Sequence, residues 1–222
     1  MAFSFHLQGP TIALIDWANV FNWFRGGKYE LDPARLFEYL KKYKNIKKIY
    51  LFVGENEHEK STAFLEKCRK IGFEVVTKRA KYVRLSIEKS PFWHEIKKYL
   101  PKKLLKKLET EPILKPKCDF DVEIATRLLL DIEKYHTFLL FSGDGDYAPV
   151  IEEVMRRQKR VFVIAKKSAL GKEFREMMRK KVHPIFVDIF DLGILARRKF
   201  PPRKKAKKSG FLGKILGKFL GK

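Results

Sequence analysis

A chain of 222 residues with 45% hydrophobic content holds enough apolar material for one sizeable core plus appendages. Its formal net charge is +23; eleven of the 49 Lys and Arg lie from Arg197 onward, where there is no acid, so the body still carries 38 basic against 26 acidic residues and favours polyanions, nucleic acid being the commonest. Cys68 and Cys118 are the only cysteines and form no CxxC pair, which excludes a zinc framework and a disulfide scaffold and points to a reducing, cytoplasmic setting. The start MAFSFHLQGP lacks a charged opening and a long apolar stretch, so no secretory signal is expected, and no run reaches the length of a membrane span.

The first apolar run, residues 11–15, meets an acid at Asp16 and an amide three residues later at Asn19, which predicts a buried strand ending at a polar position. Residues 20–24 and the pair Gly26-Gly27 read as an aromatic-rich loop beside that strand end. Trp17, Trp23 or Phe24 there can stack on a nucleic-acid base, or simply cover the core, which is the commoner fate of such rings. Asp32-Pro33 opens a helix, Asp as cap and Pro at the first position, with Leu36, Phe37, Leu40 and Tyr43 as its buried stripe. Residues 48–54 form a second strand. A helix follows that ends near Gly72, with Phe64, Leu65, Cys68 and Ile71 inward, and residues 73–77 form a third strand. Strand and helix in this alternation are the doubly wound α/β pattern.

Residues from about 84 to 117 interrupt it. Paired lysines alternate with Trp93, Ile96, Leu100, Leu104, Leu105 and Leu108, and Pro101 divides the stretch into two short amphipathic helices. These lysines either hold a phosphate backbone or form a solvated outer face. Next, Asp121 opens an amphipathic helix whose stripe is expected at Val122, Ile124, Ala125, Leu128, Leu129 and Ile132.

The most informative stretch is FLLFSGDGDY, residues 138–147: a buried strand that breaks at Ser142-Gly143 and presents Asp144 and Asp146. Ligands of open α/β sheets sit at the carboxyl ends of strands, and two carboxylates two residues apart repel unless a cation lies between them, a hard-oxygen set that suits Mg²⁺ or Mn²⁺. The plain alternative is a helix cap, with the glycines merely shaping the turn. A helix over about 147–158, a strand over 160–165, a helix over about 170–179 and a strand over 184–188 complete the core. Lys166 and Ser168 lie just beyond a strand end, where they can meet phosphate or serve as a surface Lys and a helix cap, while Asp188 and Asp191 read as a strand end and a cap. From Arg197 a basic linker leads to GFLGKILGKFLGK, a basic amphipathic helix candidate in which each interior Gly costs roughly 1 kcal/mol, so order is expected only on docking to an anionic membrane, an RNA or a ribosome-like particle.

The blocks IALIDWANVF, DVEIATRLLLD and LLFSGDGDYAPVIEEVMRRQKRVFVIA resemble the signatures of NYN domains, the LabA-like branch of the PIN-like nuclease superfamily, over about residues 11–196. The resemblance implies a Rossmann-like, PIN-type parallel sheet with helices on both faces, and an acidic cluster binding a divalent metal for RNA cleavage. Carried over by residue, that cluster is Asp16 with Asn19 beside it, Asp121, and the pair Asp144 and Asp146, expected to hold one or two Mg²⁺ or Mn²⁺ ions; beyond the resemblance, Asn19 and Ser142 are expected to steady ligands or phosphate and Lys166 to meet phosphate. Where the family usually has a basic residue and a glycine before the helix acid, this chain has Cys118 and Asp119. The expected organisation is one domain over 1–196 with a helical insert, then a basic tail over 197–222. The expected activity is metal-dependent cleavage of single-stranded or structured RNA, endonucleolytic ahead of exonucleolytic. The alternative is a PIN-like RNA-binding or scaffold protein that does not cut. A dehalogenase-like phosphatase is set aside, because the second acid it needs would fall at Ala18.

Overall fold

The computed structural model describes residues 3–56, 59–84, 91–111 and 113–197. The expected linker and tail, from residue 198 on, lie outside the described residues. The chain up to Arg79 and again from Cys118 makes one compact unit, and Ala80–Lys117 makes a second.

In the first unit, β1 (Thr11–Asp16), β3 (Ile46–Glu55), β4 (Glu74–Arg79), β7 (Thr137–Phe141), β8 (Arg160–Ala165) and β9 (Ile185–Asp188) form a six-stranded sheet in the order β4-β3-β1-β7-β8-β9. Every pairing in it is parallel. The helices between the strands are α1 (Trp17–Phe24), α2 (Pro33–Lys41), α3 (Glu59–Ile71), α6 (Asp121–Leu130), α7 (Ala148–Arg156) and α8 (Lys172–Met177). From β1 the chain winds outward to β4, then returns to β7 and winds outward the other way. Parallel crossovers are right-handed, so that reversal covers both faces of the sheet with helices. The reversal point lies between β1 and β7.

Strand composition follows position. The central strands β1 and β7 are buried at every residue, as strands covered on both faces must be, whereas the edge strand β4 is only half-buried. Their register runs from Thr11 opposite Thr137 to Ile15 opposite Phe141, so Asp16 and Ser142 leave the sheet side by side. Asp32 caps α2 through the Ala34 amide with Pro33 at the first position, and Leu36, Phe37 and Leu40 are buried as the spacing implies. Cys68 is fully buried on α3.

Two expectations are corrected. Residues 20–24 are not a loop: Asp16 accepts from the Asn19 amide and starts α1 at once. Trp17, Val20, Trp23 and Phe24 face inward at helical spacing, so the three rings cover the core and offer no face to a base. On α6 the buried stripe is narrower than expected: Ile124, Leu128 and Ile132 point in, while Val122 and Leu129 are exposed, Val122 at 75%. The short antiparallel pair β2 (Tyr29–Glu30) and β10 (Ala196–Arg197) carries no sequence signal at two residues per strand.

The second unit contains α4 (Trp93–Lys97) and α5 (Lys102–Thr110), on either side of Pro101 as expected. It adds an antiparallel ribbon that the sequence did not announce, β5 (Lys81–Arg84) with β6 (Leu114–Lys117). No helix among the described residues is long and apolar enough to cross a membrane.

The loops that follow β7 and β8 meet backbone to backbone. The Gly171 amide donates to the Gly143 carbonyl at 2.7 Å. A Cβ on Gly171 would stand 2.6 Å from the Gly145 nitrogen, and one on Gly143 would stand 2.6 Å from the Ala169 oxygen, so neither place admits a side chain without moving a main chain. Gly171→Ala is therefore expected to cost about 1–3 kcal/mol, lowering the melting temperature by roughly 3–9 °C. Calorimetry reads this directly; an unchanged melting temperature would show that the two loops are not packed this closely.

Candidate active site

The site grows from the register of β1 and β7. Asp16, the last residue of β1, is buried, and both its oxygens are engaged. Oδ1 accepts from the Asn19 amide at 3.1 Å and Oδ2 accepts from the Tyr147 hydroxyl at 3.3 Å. Asn19 in turn reaches across to the β7 loop, its Oδ1 accepting from the Gly143 amide at 3.2 Å. One side chain on α1 thus ties the two strand ends together.

The β7 loop is held by its own polar groups. Ser142 is fully buried and its hydroxyl accepts from the Asp144 amide at 3.2 Å; Asp144 Oδ1 accepts from the Asp146 amide at 3.2 Å. Asp144 therefore caps the short 3₁₀ turn Gly145–Tyr147, just as Asp16 caps α1. The capping reading is correct as geometry, yet it does not use up these side chains. A cap needs one carboxylate oxygen, which leaves the second oxygen of Asp144 over, while that of Asp16 accepts from the Tyr147 hydroxyl. Asp144 is half-buried and Asp146 exposed.

Asp121 stands at the first position of α6, half-buried, with exposed Asp119 two residues before it. The Tyr147 hydroxyl hydrogen-bonds Asp121 as well as Asp16. A phenol has one proton to donate, so two carboxylates share it. Tyr147 lies on the floor of the site, 1% exposed, and its own ionisation is pushed far up, first by burial and then by the charges of Asp16 and Asp121. Its functional place was missed in the sequence. The signal was there, a lone polar ring three residues after Asp144 in a helix start that is otherwise apolar.

Electrostatics couple the acids. The Asp16 carboxyl is raised to about 6: burial is the main cause, Asp121 and Asp144 add to it, and the hydrogen bonds from Asn19 and Tyr147 oppose it. The Asp121 carboxyl is also raised, first by burial, then by Asp144, Asp119 and Asp146 against the pull of Tyr147. The four acids expected from the sequence are thus linked: Asp16 feels Asp121 and Asp144, and Asp121 feels Asp144 and Asp146. A further carboxylate, Glu173 of α8, lies so near the β7 loop that any side chain at Gly145 would collide with it. Lys166, at the end of β8, donates to the Trp23 carbonyl at 3.2 Å and so joins β8 to the end of α1. Ser168 is exposed, and Asp188 caps a 3₁₀ turn through the Phe190 amide, with no part in the crevice.

Among the described residues, no group of three or more His, Cys, Asp or Glu side chains is set as it stands to hold a metal ion. What converges is a set of hard oxygens with an excess of negative charge and no cation among their named partners, the donor chemistry that suits Mg²⁺ or Mn²⁺.

Comparison with known proteins agrees with this architecture. The NYN domain family matches residues 10–185. The low amplitude and bright protein LabA of Synechococcus elongatus is 21% identical over 180 residues, 80% of this chain and 82% of that protein. A crystal structure of a protein of unknown function from Vibrio parahaemolyticus superposes with a TM-score of 0.58 at 18% identity, covering 84% of this chain and 96% of that one, which speaks to the fold alone.

A buried acid raised from 3.8 to about 6 binds its proton more tightly folded than unfolded. Its stabilising effect is complete below the unfolded value and is lost as pH rises through the folded one, leaving a cost of about 3 kcal/mol at neutral pH. In EDTA near pH 7.5, Asp16→Asn is expected to raise the melting temperature by roughly 5 °C or more, and the gain should vanish toward pH 4. A variant no more stable than the parent at neutral pH would mean that the Asp16 charge is already compensated.

Proposed function

From a chain that belongs to the NYN domain family, and so has a PIN-like, nuclease-type fold, we propose a cytoplasmic ribonuclease that hydrolyses RNA phosphodiester bonds with a divalent cation. The observation that carries the proposal is the Asp16 carboxyl, held near 6 in a buried place beside Asp121 and Asp144. Burying an acid beside two others is unfavourable, and a cation among them would offset that cost. Asp16, Asp121, Asp144 and Asp146 are the residues that would hold Mg²⁺ or Mn²⁺. When bound, such an ion acidifies a coordinated water and stabilises charge on the phosphate oxygens, so that no His or Lys base is needed.

The remaining roles follow from partners already named. Tyr147 fixes the mutual placement of Asp16 and Asp121. Asn19 and Ser142 hold the β7 loop, and with it Asp144, at a constant distance from β1. Asp146, exposed at the rim, is first to meet an incoming cation. Lys166 spends one of its three ammonium donors on the Trp23 carbonyl and keeps two for a phosphate oxygen. Water adds to phosphorus as the ester oxygen leaves, and the basic body of the chain supplies attraction for the polyanion. Cytoplasmic placement rests on the two free thiols, Cys68 and Cys118.

One observation favours the rival reading, an RNA-binding or scaffold protein that does not cut: the absence, among the described residues, of a side-chain group already set to hold an ion. Labelled single-stranded and structured RNA, incubated with purified protein and Mn²⁺, Mg²⁺ or EDTA, separates the two. Internal cleavage that requires metal and falls by about 10²-fold or more in Asp144→Asn is expected. Equal RNA binding by parent and variant, with no cutting under any metal, would leave the binding reading in its place.

A further inference from the structure

We propose that the second unit, Ala80–Lys117, is a docking arm for single-stranded RNA, with lysines on the phosphates and exposed rings on the bases; it rests on the RNA reading above. The unit carries eleven Lys and Arg against four Glu, a net +7 in 38 residues. That imbalance fits a polyanion and repels a basic partner. Charge alone does not choose among polyanions; the apolar groups do.

All four residues of β5, Lys81, Tyr82, Val83 and Arg84, are exposed, so both faces of the β5–β6 ribbon meet solvent. A two-stranded ribbon is marginal without a covered face. Lys81 stands directly opposite Lys117 in the register, which sets two lysines side by side across the ribbon. Tyr82 is 51% exposed, Phe92 56% and Tyr99 58%, large rings held at the surface among cations. On α5, Lys102 and Lys106 lie one helical turn apart, both exposed.

Exposed rings interleaved with lysines are what unpaired bases need, since each base offers a flat face to stack on while its phosphate meets a cation. A duplex keeps its bases stacked inside and would use the lysines but not the rings. An anionic membrane would use both, but without preference for unpaired strands. The rings therefore decide for a single strand over a duplex, and the RNA reading above puts that strand ahead of a membrane.

The test uses the full chain carrying Asp144→Asn, in EDTA, with a fluorescently labelled oligouridine, its duplex counterpart and phosphatidylserine vesicles as probes. Tyr82→Ala with Tyr99→Ala is expected to weaken single-strand binding by about 10-fold or more, with the salt dependence kept and duplex binding little changed. Lys81→Gln with Lys98→Gln and Lys102→Gln is expected to lower the slope of log affinity against log salt by about 2 for single strands. Single-strand binding left intact by both sets would overturn the proposal, as would ring substitutions that weaken duplex or vesicle binding equally. Unchanged melting curves guard against loss of fold, and the surface lysine set tests the arm even if the ring set melts early. Because binding is read without catalysis, a parent that never cuts RNA refutes the nuclease reading and leaves this one to its own result.

Discussion

Two parallel strands that end level with one another set the constraint on which this molecule depends. The register between β1 and β7 brings Asp16 and the Ser142–Asp146 turn to the same edge, and the return of the chain through α6 adds Asp121. Like charges brought that close, with Asp16 almost dry, are unfavourable. The neighbouring groups limit that cost without removing it. Asn19 bridges the two strand ends, Tyr147 shares one proton between two carboxylates, and Gly143 and Gly171 lock the loop that carries Asp144. The carboxyl of Asp16 stays raised in spite of the hydrogen bonds from the Asn19 amide and the Tyr147 hydroxyl.

The sheet itself was legible because its central strands are continuous apolar runs that stop at acids or small residues, and because the helices between them have plain caps such as Asp32-Pro33. Asp16, Asp144 and Asp146 were legible for the same reason: a charge directly after a fully buried strand has few places to go. What the sequence concealed is equally specific. In α1 the run of aromatics hid the helical period, so the segment read as a loop, although core cover was already the commoner reading of its rings. On α6, apolar Val122 and Leu129 sit on the solvent side, since the Asp121 end of the helix is turned toward the crevice and fixes which face is inward. The β5–β6 ribbon and the two-residue strands β2 and β10 are too short to have a period. Tyr147 was missed, although a lone polar ring stands out there, because its place depends on two acids 131 and 26 positions away in the chain.

The departure from the family pattern ahead of α6 has a structural counterpart. Where a basic residue and a glycine are usual, this chain has Cys118 and Asp119. Cys118 packs so closely on Gly54 of β3 that any side chain there would overlap it, and its thiol donates weakly to the Lys78 carbonyl at 3.6 Å. Lys78 itself, from β4, pairs with Glu123 of α6 at 2.6 Å and lies over the Phe120 ring. A cation at the foot of α6 is thus supplied by the neighbouring strand. It is a half-exposed pair, so its worth is in orientation more than in stability.

The central claim is that Asp16, Asp121, Asp144 and Asp146 are one divalent-cation site. Anomalous scattering from crystals soaked in Mn²⁺ tests it without passing through activity. The account predicts a strong peak bounded by Asp16, Asp121 and Asp144, lost in crystals of Asp121→Asn. A peak elsewhere, or none at Mn²⁺ concentrations that saturate other carboxylate sites, would contradict it and return the four acids to the role of caps and loop anchors.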